Sequence, residues 1–388
     1  MSIYALINKF NAKGINLFVK DGQLKFKAPK GALTNELKDE LIANKPEIIA
    51  FLQQVSSRSH TSQVQKVNRT TPAGNEIVSF PLSYSQERLW FIDQLEPNSA
   101  TYNIPKTVLI NGDLDIVHLE QAFKLIISRH EVLRTVFTEH QGKAQQVVLG
   151  EVDFRLTQID LSHHNDIITR HEKAKAICLL EAETPFELSK GPLLRAKLIK
   201  LKEQQYVLII TLHHIISDGW STSVMVREFS EILSALSLDK EPNLPILPIQ
   251  YADYSVWQRK HLDEGGVLEQ QLGYWREKLA KLPASLELTT DHPRTREESF
   301  QGATAEFAID ERLTEQLKSL SDHCGSTLFM TLLAVFNGLL YRYTGQHDIC
   351  LGTPIANRQH IETEGLIGMF VNTLALRNQV DGEQGFDA

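Results

Sequence analysis

The 388-residue chain is 42 % apolar with a formal net charge of −8, which suffices for two or three domain-sized cores and argues against nucleic acid as a general partner. No run of about eighteen apolar residues occurs, and Met1-Ser2-Ile3-Tyr4 lacks the basic-then-apolar layout of a secretory signal, so a cytoplasmic protein with no membrane partner is expected. Cys178, Cys324 and Cys350 are odd in number and far apart, and they read as reduced, buried small hydrophobes.

Residues 1–54 stand apart, with eight lysines against five acids. Ile3, Ala5, Leu6 and Phe10 have helical spacing, and Asn11 to Gly14 ends that helix. Two alternating runs, Ile15 to Lys20 and Gln23 to Ala28, flank Asp21-Gly22, a strong hairpin signal. Thr34 can cap a helix bearing Leu37 and Leu41, and Pro46 suits the first turn of another bearing Ile49 and Leu52. In the second strand Leu24 and Phe26 share one face and Lys25 and Lys27 the other. Such a hairpin either accepts an extended peptide at its edge or uses its lysines only to blunt that edge. Residues 55–78, rich in Ser, Gln and Thr with Pro72-Ala73-Gly74, read as a flexible linker.

From Phe80 strands and helices alternate. Strands are expected at Thr107 to Ile110, Lys143 to Leu149, Arg195 to Lys202, Gln205 to Leu212, Ala303 to Ala308 and Ile349 to Ile355. Helices are expected at Asp115 to Glu131, His171 to Glu183, Asp310 to His323 and Ser326 to Tyr343. Phe329, Phe336 and Leu340 read as core, and His163-His164, among Ser162, Asn165 and Asp166, as a surface turn. His130 and Glu131 close a helix and read as solvent-facing or locally paired. The class is α/β (mixed α+β).

Chemistry concentrates at His213-His214-Ile215-Ile216-Ser217-Asp218-Gly219, between the apolar strand ending at Leu212 and a helix carrying Val224, Phe229, Ile232, Leu233 and Leu236. Successive strand side chains point to opposite faces, so only one histidine can face a given cavity. An imidazole near the turn can accept a proton from an attacking amine, alcohol or thiol, and His214 is the candidate. Asp218 either orients that imidazole or anchors the loop through an arginine elsewhere. The bland reading is a core histidine and a loop-capping aspartate. A metal site needs three or four converging ligands, and this junction supplies at most one histidine and the aspartate, so none is expected.

The same residues resemble the HHxxxDG signature of condensation domains from nonribosomal peptide synthetases. Ser83 to Phe91 (SYSQERLWF) is similar to the opening SxAQxRLWFL motif, with Ser85 where alanine is usual, and Arg129 to Phe137 matches RHExLRTxF. Tyr251 to Gln258 resembles YxDYAVWQ, and Ile367 to Leu374 with Arg377 resembles IGxFVNTLxLR. Residues 1–54, through the Gly14 to Pro29 hairpin, resemble the TubC-type N-terminal docking domain of synthetase subunits. The family pattern continues into HQDxPFE and RDxSRNP motifs, which lie beyond Ala388, so an incomplete second lobe is expected.

The resemblance implies a helix-hairpin-helix-helix docking domain (1–54), a linker (55–78) and a two-lobed chloramphenicol-acetyltransferase-like fold (79–255 and 256–388) with its site in a tunnel between the lobes. It implies an acyltransferase of secondary metabolite biosynthesis that joins an upstream carrier-bound acyl or peptidyl thioester to a downstream carrier-bound aminoacyl amine. Partners are then donor and acceptor peptidyl carrier domains, whose phosphopantetheine arms hold the substrates, and an acidic C-terminal tail of the preceding subunit docking on Leu24, Lys25, Phe26 and Lys27. No cofactor is expected on this chain itself. His214 becomes a general base or positioning group, His213 and Asp218 structural, and Arg134 the candidate partner of Asp218. Gly219 would allow close approach of the loop to substrate. Asn372 would offer an amide donor to the carbonyl oxygen from the second lobe, and Trp257 with Tyr254 would pack at the lobe junction. The contrasting expectation is an inert docking or scaffold module, or a related HHxxxDG acyltransferase.

Overall fold

The computed structural model describes residues 6, 10, 15–20, 23–28, 34–50, 63–70, 78–264, 266–292 and 302–385. The Asp21-Gly22 turn, Asn11 to Gly14, Phe51 and Leu52, Pro29, the Lys27 side chain and residues 55–62 and 71–77 of the expected linker lie outside them. The chain divides into two compact units, residues 1–62 with 274–351 and 375–388, and residues 63–273 with 352–374.

In the first unit, strand β1 (Asn16–Lys20) pairs antiparallel with β2 (Gln23–Lys27), setting Leu17 opposite Phe26 and Val19 opposite Leu24. Leu17 and Leu24 pack on a buried cluster of Leu6, Phe10, Ile15, Leu37 and Ile48. Thr34 accepts a hydrogen bond from Leu37 N at 3.4 Å and starts the Asn35–Ala43 helix, as a cap should. Residues 45–50 are helical, and Ile48 rather than Ile49 is the fully buried one. Lys25 is exposed, and Phe26 is exposed beside it. The expected strand Ala303 to Ala308 does not form; its residues are exposed and unladdered. The Glu311–His323 and Leu328–Thr344 helices follow the periodicity, but Phe329 and Phe336 are 56 % and 47 % exposed and only Leu340 of the three expected core residues is buried. Cys324 is exposed and Cys178 and Cys350 half-buried, so the expectation of buried thiols is corrected, and all three are free.

The second unit is built on a four-stranded sheet in the order β4 (Asn103–Asn111), β9 (Gln205–His213), β8 (Leu194–Lys202), β7 (Thr157–Asp160). β9 is hydrogen-bonded on both sides, antiparallel to β4 and to β8, and its continuous apolar run follows from helices covering both faces of the sheet. One sheet face packs on the Ile116–Arg129 and Gly219–Ser237 helices, whose Phe123 and Phe229 rings meet edge to face at 4.8 Å. The other takes the Ile167–Glu183 helix, through Ala174 and Ile177 against Ile199 and Leu201. That helix starts at Ile167, four residues before the expected His171, because its cap Asp166 accepts from Thr169 N at 2.8 Å. A second sheet orders β3 (Ser79–Pro81), β6 (Lys143–Val148) and β5 (Thr135–His140). Residues 63–70 are packed rather than loose: Val64 is buried, Val67 N donates to Asp253 Oδ1 at 2.9 Å, and Arg69 pairs with Glu131 at 2.8 Å and Asp253 at 3.0 Å. The linker reading fails there because two valines and an arginine find partners that composition cannot reveal. Among the described residues no single helix is long and apolar enough to cross a membrane.

Candidate active site

β9 ends at His213, and a 3₁₀ turn, His214–Ile216, leads into the Gly219–Ser237 helix. The strand delivers two adjacent histidines, and the turn separates their fates. His213 is 3 % exposed and packs between Tyr102 and Phe186, with ring centroids at 6.5 and 6.1 Å. Its Nδ1 accepts the backbone N–H of Ile215 at 3.1 Å, which leaves the ring proton on Nε2. Burial, with the neighbouring His214, pushes its pKa down to about 4, so it is neutral near pH 7. The His214 ring is half-buried; its backbone N–H donates to Tyr102 O at 2.8 Å. Its Nδ1 is buried with no hydrogen-bond partner among the described residues. His213 has thus committed its Nδ1 to the turn, whereas the Nδ1 of His214 is uncommitted.

Asp218 is buried and acts as the N-cap of the helix. Its Oδ1 accepts from Ser221 N at 2.8 Å, Ser221 Oγ at 2.7 Å and Arg358 Nη2 at 3.2 Å, and its Oδ2 from Phe370 N at 3.0 Å. With its lone pairs so occupied, the carboxylate is a structural knot. The cation of the pair is Arg358, not Arg134. Arg134 lies in the Glu131–Arg134 3₁₀ turn and donates through Nη1 to Leu149 O at the end of β6, so its guanidinium is committed elsewhere. Arg358 also donates to Leu366 O at 2.7 Å and to Thr363 O, and sits 4.0 Å over the Phe370 ring. Burial lowers its pKa, and Asp218 opposes that shift.

This knot fixes residues 366–370. Tyr251 OH donates to Met369 O at 2.6 Å and meets Ser83 Oγ at 2.8 Å, and burial raises its pKa well above the ordinary phenol value. A Cβ on Gly368 would lie 2.0 Å from Tyr251 Cδ2, so only glycine fits there. Gln86 Nε2 donates to Ile215 O at 3.3 Å, and Ser85 Oγ to Val371 O at 3.2 Å, a bond the usual alanine could not make. His130 is buried, not solvent-facing: its Nε2 meets Glu228 Oε2 at 2.8 Å, and Arg129 Nε reaches the same oxygen at 3.1 Å. Burial pushes the Glu228 carboxyl up, but these two partners hold it below the usual range. Glu131 is paired too, but with Arg69, 62 positions away, and not with a local partner, whereas His163-His164 is a surface turn.

Gly219 is exposed, has no left-handed backbone, and a Cβ there would meet nothing within 4 Å. Nothing among the described residues requires glycine at that position. Asn372 is exposed, and its Oδ1 accepts from Thr373 N at 2.9 Å. Trp257 stacks on His261 at 5.0 Å and meets His360 edge-on at 4.5 Å, as a packing residue. Sequence reasoning missed Arg358, Ser221, Gly368 and Glu228. Of these only Gly368 lay inside a recognised motif. Among the described residues no cluster of His, Cys, Asp or Glu could hold a metal ion.

The condensation-domain family model matches residues 78–388, four-fifths of the chain. The chain belongs to the condensation-domain family. The TubC N-terminal docking-domain model matches residues 3–54 in front of it. Over 306 residues the condensation domain is 47 % identical to a linear gramicidin synthase of Brevibacillus parabrevis, 79 % of this chain and 6 % of that protein. Over 388 residues, 100 % of this chain and 14 % of the relative, the whole chain is 37 % identical to bacitracin synthase 2 of Bacillus licheniformis. The chain thus spans a small part of these relatives' length. Its fold is that of the X-domain from teicoplanin biosynthesis (TM-score 0.72, 25 % identity, 84 % of this chain and 69 % of that one). It is also that of the first condensation domain of the CDA synthetase (TM-score 0.66, 22 % identity, 80 % and 73 % covered).

Proposed function

We propose that this condensation domain forms an amide bond between an upstream carrier-bound acyl or peptidyl thioester and a downstream carrier-bound aminoacyl amine, in the cytoplasm. The observation that carries the reading is the division of labour at the β9 end. His213 commits its Nδ1, and Asp218 both of its oxygens, to the scaffold, whereas half-buried His214 keeps unspent hydrogen-bonding capacity.

The amine nitrogen attacks the thioester carbonyl carbon, the C–S bond breaks, and the thiol of the donor arm leaves. His214, through Nε2, accepts the proton lost by the amine and returns it to the departing thiolate. Asn372 keeps its Nδ2 donors for the developing oxyanion. Gly219 keeps open the space a side chain would fill beside the loop. The substrates arrive on phosphopantetheine arms of the donor and acceptor carrier domains, and this chain binds none of its own.

Residues 1–54 bind the C-terminal tail of the preceding subunit along β2, backbone to backbone, with Lys25 and Lys27 selecting an acidic partner. Reconstitution of the chain with loaded donor and acceptor carrier proteins, read by mass spectrometry of the carrier-bound product, tests the catalytic reading. Amide-linked product on the acceptor is expected. Its absence with both carriers loaded would favour the scaffold reading.

A further inference from the structure

The sheet face that carries His213 is apolar at Ile199 and Leu201, under the Ile167–Glu183 helix, but turns polar at its His213 end. Register sets Asn103 of β4 opposite His213, and Arg195 of β8 opposite Thr211, so these four side chains project from one face. The Ile167–Glu183 helix covers them. From β8, Arg195 Nε donates to Glu181 Oε1 at 2.5 Å and its Nη2 to Thr184 O at 2.6 Å. From β4, on the other side of β9, Asn103 Nδ2 donates to the same Thr184 O at 2.8 Å and to Ala182 O at 2.8 Å. Two side chains from the strands flanking β9 therefore converge on one carbonyl above it. Phe186 closes the roof, with Arg195 3.7 Å over its ring and His213 against its edge.

Beneath this roof Thr211 is fully buried, and its Oγ1 has no partner among the described residues; the Oδ1 of Asn103 is likewise buried without one. The two residues stand one diagonal step apart across the β4–β9 ladder, about 7–8 Å and somewhat less between Cβ atoms. Their polar atoms do not meet, and the spacing suits a bridging molecule. Buried polar atoms in folded proteins find partners, and where protein atoms fail, ordered water supplies them. His213 projects from the same face, and because its Nδ1 accepts from Ile215 N–H, its Nε2 carries the proton and can donate.

We propose that Asn103 and Thr211 are positioning residues that hold one buried water against His213, so that the neutral ring, and through one peptide bond the reactive His214, is fixed at the end of β9. The water accepts from His213 Nε2–H, donates to Asn103 Oδ1 and shares a hydrogen bond with the Thr211 hydroxyl. The arrangement uses three polar contacts, the usual complement of an internal water. Neither residue touches substrate.

The consequence for catalysis rests on the reading of His214 as the proton acceptor; the water does not. A high-resolution crystal structure of the full chain decides the first point without any variant. An ordered water within hydrogen-bonding distance of both Asn103 Oδ1 and Thr211 Oγ1 is expected, and a dry or collapsed chamber overturns the proposal. For the second point, Thr211→Val keeps the shape and removes the hydroxyl. It should lower kcat for amide formation about 10- to 100-fold, the scale of a small misplacement of a catalytic group, with KM unchanged, and Thr211→Ser should restore the rate. Equal losses in the serine and valine variants, or a wild-type kcat in the valine variant, would overturn the positioning role. If Thr211→Val does not fold, the Thr211→Ser rate and the wild-type crystal structure still decide. An inactive wild-type chain would sink the catalytic reading and leave the water standing.

Discussion

The Gly219–Ser237 and Leu328–Thr344 helices are both rich in apolar side chains, yet the first buries Val224 and Ile232 almost completely while the second leaves Phe329 and Phe336 about half exposed. They differ in what holds them. The first starts at Asp218, whose carboxylate gathers Ser221, Arg358 and Phe370 N, and continues to Glu228, which gathers Arg129 and His130. The second is capped by Thr327 and ends on a left-handed Gly345, and its buried residues are Thr331, Asn337 and Leu340. Apolar periodicity identifies a face that seeks cover. It does not say which element supplies the cover, or which polar knot locks it.

The contrast breaks first at the Asp218–Arg358 pair. Replacing either partner, Asp218→Ala or Arg358→Leu, strands a buried charge and should lower stability by roughly 3–5 kcal/mol in denaturant melts. A melt at the wild-type midpoint would mean that the pair holds nothing. Core truncation sharpens the comparison next: Ile232→Ala should lose about 2–5 kcal/mol. Phe336→Ser should stay within about 0.5 kcal/mol, and comparable losses at the two positions would erase the distinction between the helices.

The next effect is pH dependence. His213 is held neutral in the folded chain with a pKa of about 4, against about 6.5 when unfolded. The unfolded chain therefore takes up the proton first. Stability from this group is complete above about pH 6.5 and falls by about 3 kcal/mol as pH drops to 4. Melts across that window should slope accordingly, and His213→Asn should flatten the slope. An unchanged slope in the variant would place the titration elsewhere.

The two lysines of the docking hairpin carry the smallest effect. Exposed charge pairs contribute about 0.2–1 kcal/mol each and are screened over about 8 Å at physiological salt. Affinity for an acidic tail should fall modestly with salt, and Lys25→Glu with Lys27→Glu should reject that tail more than the alanine pair does. Salt-independent binding in calorimetry that survives the reversal would leave the lysines as edge protection.

The histidine strand and its turn were legible because an apolar β-branched run followed by Asp-Gly leaves few alternatives. The docking hairpin was legible from its alternation around Asp21-Gly22. Arg358 was not: it reaches Asp218 across 140 positions, and no local pattern marks an arginine that will be buried by a distant loop. Residues 63–70 failed for a related reason, since polar composition hides an Arg69 clamped between Glu131 and Asp253. The strand at Arg195 to Lys202 was legible, but not that Glu181, from a helix laid over the sheet, would pair with both Arg195 and Lys197.

The central claim is that His214 acts while its neighbours support, and a paired measurement on loaded carriers tests it most directly. Single-turnover rates and melting curves would be recorded for the wild type and for His214→Ala. The account predicts a rate loss of at least about 10²-fold with an unchanged melting midpoint. Product formed by His214→Ala at the wild-type rate would contradict it.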